Sequence, residues 1–220
     1  SYLDQEGIII NSGFRRGQGR VGFDHQVNSR LKVSTNVSYA RVFRYGTPVS
    51  TSGYNAELNL LFSVWAYRPI SLINSNVDLI EVPNDPEIEQ AAEFRYNPII
   101  TTQNELRETT EETLTANGYL EYLMLKGLKL KVSGGYTRRW TQSDVFNNSL
   151  SRSGNPSTNS QVNGGQGYTN TTAWLNENTL TYDWKIDKNQ SLNAVAGMTL
   201  QESNYRYLDA YMKLLPNEGL

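Results

Sequence analysis

Residues 113–140 read TLTANGYLEYLMLKGLKLKVSGGYTRRW, and apolar and polar side chains alternate along them in two runs joined at Lys126-Gly127. One face of the two runs carries Leu114, Ala116, Gly118, Leu120, Tyr122, Met124, Leu128, Leu130, Val132, Gly134, Tyr136 and Trp140. The other face carries Thr113, Thr115, Asn117, Tyr119, Glu121, Lys129, Lys131, Ser133, Thr137 and Arg139. Because successive side chains of a β-strand point to opposite faces, this period of two predicts a hairpin with one apolar and one polar face. The alternation outlasts the roughly five or six residues of a usual strand, which favours a wall between lipid and water.

Composition supports strands and excludes several other classes of protein. The 220 residues include 14 Tyr, 4 Trp and 17 Gly, the hydrophobic content is 38%, and the mean hydropathy is −0.55. No run of about 18 apolar residues occurs, which excludes a transmembrane helix, whereas a membrane strand escapes that test because every second residue is polar. The formal net charge of −2 and the lack of a basic stripe provide no basis for nucleic-acid binding. The absence of Cys excludes disulfides and thiolate metal sites.

The same alternation recurs in two further hairpins, one near each end of the chain. We predict strands at roughly 1–5, 16–27, 31–44, 111–125, 128–143, 173–186 and 190–205 from these patterns. The tight turns at 28–30 and 187–189 contain Asn or Asp, which tolerate the backbone conformations of turns. Long connections at roughly 45–110 and 144–172 alternate with these short turns.

Short turns at one end and long loops at the other are typical of an outer-membrane barrel. Tyr122 and Trp184 lie close to short turns, whereas Tyr39, Tyr136 and Trp140 lie about eight to twelve residues away. Ten residues tilted by about 40° span about 25 Å, the height of the apolar band between two aromatic girdles. We therefore predict an all-β antiparallel meander that forms part of a large transmembrane β-barrel. The alternative is a soluble carbohydrate-binding β-sandwich, in which these rings would fill a core or form a platform.

Several segments also resemble SusC/RagA-type TonB-linked (TonB-dependent) outer-membrane proteins. The resemblance is carried by residues 2–8, 20–27, 31–33, 127–136, 176–182 and 192–202, which include Asp24-His25-Gln26-Val27 and Ser133-Gly134-Gly135-Tyr136. It implies a cell outer-membrane protein that imports bulky nutrients, oligosaccharides or oligopeptides, with a SusD-like surface lipoprotein as its lid and energy supplied through TonB. These are motifs of barrel strands, and no substrate-binding residue can be transferred from them.

The resemblance also suggests that residues 1–220 are a central segment of a longer barrel protein. Barrels of this class need about 22 strands around a plugged lumen, and seven strands cannot close such a cylinder. We expect the signal peptide, the TonB-contacting segment, the plug domain and the C-terminal strands to be absent from this segment. A non-transporting outer-membrane barrel or adhesin shares such strands and stays open as an alternative.

The 45–110 connection is the best place to look for function, because a loop of that length normally has structure of its own. Leu58, Leu61, Phe62 and Trp65 follow the spacing of one helical face, and Asp85-Pro86-Glu87 has the composition of a helix start. Functionally, this loop would be a folded cap that contacts cargo or the lipoprotein; otherwise it only packs against neighbouring outer loops. Its acidic residues suit Ca²⁺ by their chemistry, but their spacing matches no calcium loop, so we predict no metal: Asp78, Glu81, Asp85, Glu87, Glu89 and Glu93.

The sequence provides no basis for catalysis or for a cofactor. The single histidine, His25, falls on the apolar series beside a short turn, and no nucleophile constellation forms around it. The pairs Glu111 with Glu112 and Glu121 with Asp183 could be imagined as glycosidase acids, but nothing in the sequence brings them together. We predict Lys129, Lys131, Arg139, Glu177 and Asp183 to face the lumen. The polar 144–172 loop could donate hydrogen bonds to sugars or be a plain mobile loop.

Overall fold

The computed structural model describes residues 1–49, 60–68, 78–79, 81–83, 85, 96–156 and 160–218. Seven strands dominate it: β1 Tyr2–Glu6, β2 Gly13–Gln26, β3 Leu31–Tyr45, β4 Glu105–Leu125, β5 Leu128–Asn147, β6 Asn163–Lys185 and β7 Ser191–Lys213. Two short helices, α1 Leu60–Ala66 and α2 Pro98–Gln103, lie in the connection between β3 and β4. Among the described residues, no helix is long and apolar enough to cross a membrane.

All seven strands form one sheet in the order in which they occur along the chain. Each strand pairs antiparallel with its chain neighbours, so the connections are simple hairpins without crossovers. The predicted antiparallel meander is therefore confirmed.

Local hydrogen bonds explain the three short turns. The side-chain Oδ1 of Asn28 accepts from the backbone N–H groups of Arg30 and Leu31 at 2.8 and 2.9 Å. Asp187 does the same at the β6–β7 turn, where its Oδ1 accepts from the N–H groups of Asn189 and Gln190 at 2.6 and 2.9 Å. Gly127 closes the β4–β5 turn with φ of 85°, a conformation that residues with a Cβ rarely adopt. These three turns lie at one end of the sheet, which we call the short-turn end.

The strands run further toward the opposite end, the loop end, than the sequence predicts. β4 begins at Glu105 instead of about 111, β5 ends at Asn147 instead of about 143, β6 begins at Asn163 instead of about 173, and β7 ends at Lys213 instead of about 205. The long connections are correspondingly shorter than 45–110 and 144–172. The extensions of β4 and β6 carry mainly polar residues or Gly on both faces, so the contrast that reveals a strand disappears there while the backbone pairing continues. The six-residue span 7–12 between β1 and β2 also lies at the loop end, since Glu6 pairs with Gly13 and Gly13 with Tyr45.

Strand register places the predicted apolar residues together on one face of the sheet. Val33, Leu120 and Val132 are register partners on three neighbouring strands, and so are Val37, Ala116 and Tyr136. No second layer of the described residues covers this face: Val37 is 41% exposed, Leu120 39% and Met198 56%. Such continuous exposure of apolar side chains is incompatible with a sandwich core and expected for a surface in contact with acyl chains. We call this surface the lipid face and the opposite surface the lumenal face.

Candidate functional site

Two regions have the chemistry to meet a ligand or a partner. One is the lumenal face, on which Lys32, Asn117, Lys131 and Glu177 lie. The other, which we call the outer cap, consists of the described residues between 46 and 104 at the loop end.

Charged and aromatic side chains cluster on the lumenal face toward the short-turn end. Glu121 is the register partner of Lys32 on one side and of Lys131 on the other. The ammonium of Lys131 lies 4.7 Å from the centroid of the Tyr119 ring, and the ammonium of Lys32 lies 5.8 Å from it. Cations over a ring face are attracted by its quadrupole, so Tyr119 holds two lysines in place. This part of the lumenal face is therefore polar and carries charges of both signs.

A shallow groove crosses the middle of the lumenal face at Gly135. Asn117, Gly135 and Leu175 are register partners on β4, β5 and β6. A Cβ at Gly135 would lie 2.8 Å from the Asn117 Oδ1, so the missing side chain keeps the groove open. Toward the short-turn end the groove encloses about 340 Å³, and toward the loop end a continuation encloses about 410 Å³. Mainly polar side chains line both parts: Ser34, Tyr119, Lys131, Ser133, Glu177, Thr137, Ala173, Gln201 and Ser203.

The predicted lumenal residues lie in register positions on this face, but no acid pair forms. Arg139 pairs with Glu111 at 3.7 Å, whereas Glu112 lies on the lipid face and pairs with Arg41 at 3.6 Å. Glu121, on β4, pairs with Lys129 at 3.9 Å, and strand β5 separates it from Asp183 on β6. His25 lies on the lipid face, with its ring centroid 5.7 Å from that of Phe23. Within the described ranges no group of three His, Cys, Asp or Glu residues could hold a metal ion.

A buried ion pair organises the outer cap. The Arg68 Nε and Nη2 atoms each lie 2.7 Å from a carboxylate oxygen of Asp85, whose side chain is 0% exposed. Nearby, the Tyr67 hydroxyl donates to the Leu79 carbonyl at 2.8 Å, and burial, followed by the charge of Asp85, raises the pKa of Tyr67. Bidentate pairing of this kind fixes geometry as well as charge. The pair therefore joins two segments of the cap that are far apart in sequence.

Asn97 provides the second anchor of the cap. Its side-chain Oδ1 accepts from the N–H of Ile99 at 2.9 Å, which caps α2, and Pro98 occupies the first helical position. Its Nδ2 donates to the carbonyls of Leu79 and Val82 at 3.1 and 3.3 Å. The sequence analysis missed this helix, although Asn-Pro before an apolar pair is a signal that could have revealed it.

One prediction about the cap needs correction, and the predicted helix start at Asp85-Pro86-Glu87 falls mostly outside the described residues. Helix α1 exists, but it buries Leu60 and Ser63, whereas Trp65 is 77% and Phe62 39% exposed, so the predicted apolar face is wrong. Nearly every position of the seven-residue helix is apolar, and such a short segment does not select a face by periodicity. Leu58 lies outside the described residues. Asp85 is an ion-pair partner of Arg68; Pro86, Glu87, Glu89 and Glu93 lie outside the described residues, and Asp78 and Glu81 are solvent-accessible.

The asparagines of the β5–β6 connection form structural hydrogen bonds. Asn147 donates to the Asn163 Oδ1 at 2.6 Å, and Asn163 donates to the carbonyls of Ser153 and Gln161 at 2.7 and 2.8 Å. Asn148 donates to the Asn104 Oδ1 at 2.7 Å, which ties this connection to the end of α2. Asn147, Asn155 and Asn163 are buried, so these amides serve the loop itself and are not presented to a sugar.

Arg107 and Glu105 join the cap to the strands. The Arg107 guanidinium donates to the Phe146 carbonyl at 3.0 Å and to the Asn147 Oδ1 at 2.6 Å, and it lies 3.2 Å from Glu105. Burial raises the pKa of Glu105, while Arg107 and a hydrogen bond from Thr47 oppose that rise. The buried carboxylate thus titrates at a higher pH in the folded protein than in the unfolded chain.

This raised pKa predicts that protonation of Glu105 stabilises the loop end. The folded state binds the proton of Glu105 more tightly, so its full contribution is present below the unfolded pKa of about 4.3 and is lost as pH rises through the folded pKa. In Glu105→Gln, protection of the amides of residues 105–107 and 146–147 should no longer fall over that interval. Hydrogen exchange of the full-length protein, corrected for intrinsic rates, measures this. Glu111→Gln, at a half-buried position of the same strand, should retain the wild-type profile, and an unchanged profile in Glu105→Gln contradicts the assignment.

The comparisons with known proteins agree with this geometry. No protein-family model matches the chain. Three TonB-dependent receptors of Formosa agariphila are similar to it, with 25%, 23% and 24% identity over 92%, 94% and 92% of the chain. The chain spans 19%, 18% and 19% of the length of these relatives. The resemblance to TonB-linked outer-membrane proteins is therefore confirmed, and it concerns about one fifth of such a protein.

Solved structures show the same fold. The RagAB peptide transporter matches with a TM-score of 0.71 and 22% identity, over 96% of this chain and 23% of that one. The RagAB peptide importer in its open-open state matches with a TM-score of 0.70 and 22% identity over the same shares. The meander thus has the fold of part of the wall of an outer-membrane β-barrel.

Proposed function

We propose that this chain is a wall segment of a TonB-dependent outer-membrane importer that takes up bulky nutrients, oligosaccharides or oligopeptides. The observation that carries the proposal is the division of one sheet into an uncovered apolar face and a charged, grooved face, with folded loops at a single end. A closed wall of such strands surrounds a lumen wide enough for bulky cargo. The relatives named as TonB-dependent receptors and the fold shared with a peptide transporter support this choice over an adhesin. They also favour a protein that is not an enzyme.

The outer cap is the part of this segment that we assign to the entrance. It lies at the loop end, its two helices are held by the Arg68–Asp85 pair and by Asn97, and Trp65 on α1 remains exposed. An exposed Trp on a rigid support is a common anchor at protein interfaces. We propose that the cap contacts the cargo or a SusD-like surface lipoprotein that closes the lumen, while TonB acts through a part of the protein outside residues 1–220.

Gene replacement tests the proposed import directly. A strain that lacks the complete gene should fail to grow when a defined oligopeptide mixture, or a defined oligosaccharide mixture, is the sole source of that nutrient. A plasmid copy should restore growth on one of them, and an uncoupler of the proton gradient should abolish uptake of the labelled cargo. Equal uptake of both mixtures with and without the gene would refute the importer and leave the adhesin.

Trp65→Ala tests the role of the cap within the same system. We expect its uptake to fall about fivefold, in line with the ~1 kcal/mol or more that truncation of an interfacial Trp can cost. Ile99→Ala is the matched control, because Ile99 is a second exposed apolar residue of the cap, on α2. Uptake unchanged in Trp65→Ala would restrict the cap to packing against other outer loops without affecting the import assignment.

A further inference from the structure

Charged side chains interrupt the lipid face near the loop end. Arg138 occupies an apolar-series position on β5, as the register partner of Leu114, and Arg206 on β7 is the register partner of Asn170. Asn170 is in turn the register partner of Trp140. Tyr136, two residues from Arg138 toward the short-turn end, is the register partner of Trp174. The period of two in the sequence conceals this cluster, because its members come from three strands.

We propose that Arg138, Asn170 and Arg206 form a site for the phosphate of a phosphorylated lipid in the outer leaflet. We call these three residues the phosphate cluster. The proposal concerns the lipid face and goes beyond import, which uses the lumenal face.

The height of the cluster on the wall suits a headgroup. Leu130, at the short-turn end of the apolar band, lies eight residues before Arg138 on β5. Eight to ten residues at a tilt of about 40° rise about 20–25 Å, which is the height of the apolar band. Trp140 and Trp174 accompany the cluster, as expected for aromatic rings at the boundary between acyl chains and headgroups. The guanidinium groups therefore reach the headgroup layer and are not placed in hydrocarbon.

Arg138 and Arg206 flank Asn170 on the two sides of β6. The Arg138 Nε atom donates to the Asn170 Oδ1 at 3.2 Å, so the guanidinium leans from β5 onto β6. Arg206 stands on the other side of Asn170, in register with it, at the Cα separation of about 5 Å typical of such pairs. Two arginines that flank one asparagine can direct several N–H donors to a single phosphate. This is the donor set that binds phosphate oxygens.

The nearby carboxylates are already engaged. Glu112 pairs with Arg41 at 3.6 Å, on the far side of β5 from Arg206. Glu202 accepts from the Trp174 Nε1 at 3.1 Å and from the Asn204 Nδ2 at 2.8 Å. Asp144 lies six residues beyond Arg138 on β5, about 20 Å away. Among the described residues neither Arg138 nor Arg206 forms an ion pair, so their charge is available to a ligand.

A lipid is favoured over a soluble anion because of the surroundings. The cleft next to Arg138 encloses about 370 Å³ and is lined by Tyr39, Leu114 and Trp140, together with Glu112. An acyl chain would lie along these apolar side chains while the phosphate meets the arginines. A free phosphate would gain none of that contact.

Lipid counting on the full-length protein tests the proposal. The protein is placed in phosphatidylcholine nanodiscs that contain either lipid A or dephosphorylated lipid A, and the lipids retained are counted by native mass spectrometry. We expect the wild type to prefer the phosphorylated form. At about 1 kcal/mol for each arginine near a headgroup, the double variant Arg138→Gln/Arg206→Gln should lose about 30-fold of that preference and Arg206→Gln alone about fivefold.

Arg139→Gln is the matched control, since Arg139 has the same height and charge but faces the lumen, where it pairs with Glu111. Its preference should equal that of the wild type, and Arg138→Lys/Arg206→Lys should keep most of it. The proposal fails if the double Gln variant keeps its preference, if Arg139→Gln loses as much, or if inorganic phosphate displaces lipid A. Should the double Gln variant not give a heat-modifiable barrel, Arg206→Gln decides: an undiminished preference refutes the site.

Discussion

Replacing Val132 by Arg is expected to destabilise the folded barrel by about 2–4 kcal/mol. Val132 is the register partner of Leu120 on β4 and of Asn178 on β6, near the middle of the lipid face, and its side chain is exposed. A cation at this depth must be buried in hydrocarbon or pull water and headgroups inward, and both cost free energy. The fraction of full-length protein that migrates as a heat-modifiable barrel should fall, and the urea midpoint in lipid vesicles should fall with it.

Ser133→Arg is the matched control for this prediction. Ser133 is the next residue of the same strand, it faces the lumen, and its register partner is Glu177. A cation there meets water and a carboxylate, so the change in stability should stay within about 1 kcal/mol. Equal destabilisation by the two substitutions would mean that the lipid face has been assigned to the wrong side of the sheet.

Arg68→Ala should open the outer cap. The substitution removes the bidentate partner of a carboxylate whose side chain is fully buried, a loss that typically costs about 3–5 kcal/mol. We expect proteinase K to cleave the full-length protein between residues 46 and 104 on whole cells, at concentrations that leave the wild type intact. The barrel itself should remain heat-modifiable, because the strands pair independently of the cap.

Arg15→Ala is the appropriate comparison, since the Arg15–Asp4 pair, separated by 3.3 Å, has side chains that are 52% and 45% exposed. Exposed pairs contribute about 0–1 kcal/mol, so its cleavage pattern should match that of the wild type. An apolar replacement of both partners, Arg68→Met/Asp85→Leu, should recover part of the resistance, because no unpaired charge is left buried. Full resistance in Arg68→Ala would show that the pair does not hold the cap.

The lipid face, the lumenal face and the short turns could be predicted from the sequence because each depends on residues that are close together along the chain. Leu120, Leu130 and Met198 were assigned to one face by alternation alone, and all three lie there. The two helices are harder to predict from the sequence. The pattern indicates the position of α1 but not its buried side, and it does not indicate α2. Their packing depends on contacts with Leu79 and Asp85, which are distant in sequence and carry no local signal.

The sequence by itself determined the seven-stranded meander, its lipid face and its short-turn end. A barrel wall separates lipid from water, so apolar and polar side chains alternate along each strand. Only the tertiary structure decided how far the strands extend toward the loop end, because in β4 and β6 both faces of the extension are polar and the alternation ends. It also decided which amides become buried and which charges meet, as in Arg68–Asp85 and in the phosphate cluster. Those contacts arise between segments that strand pairing brings together, and no local periodicity encodes them.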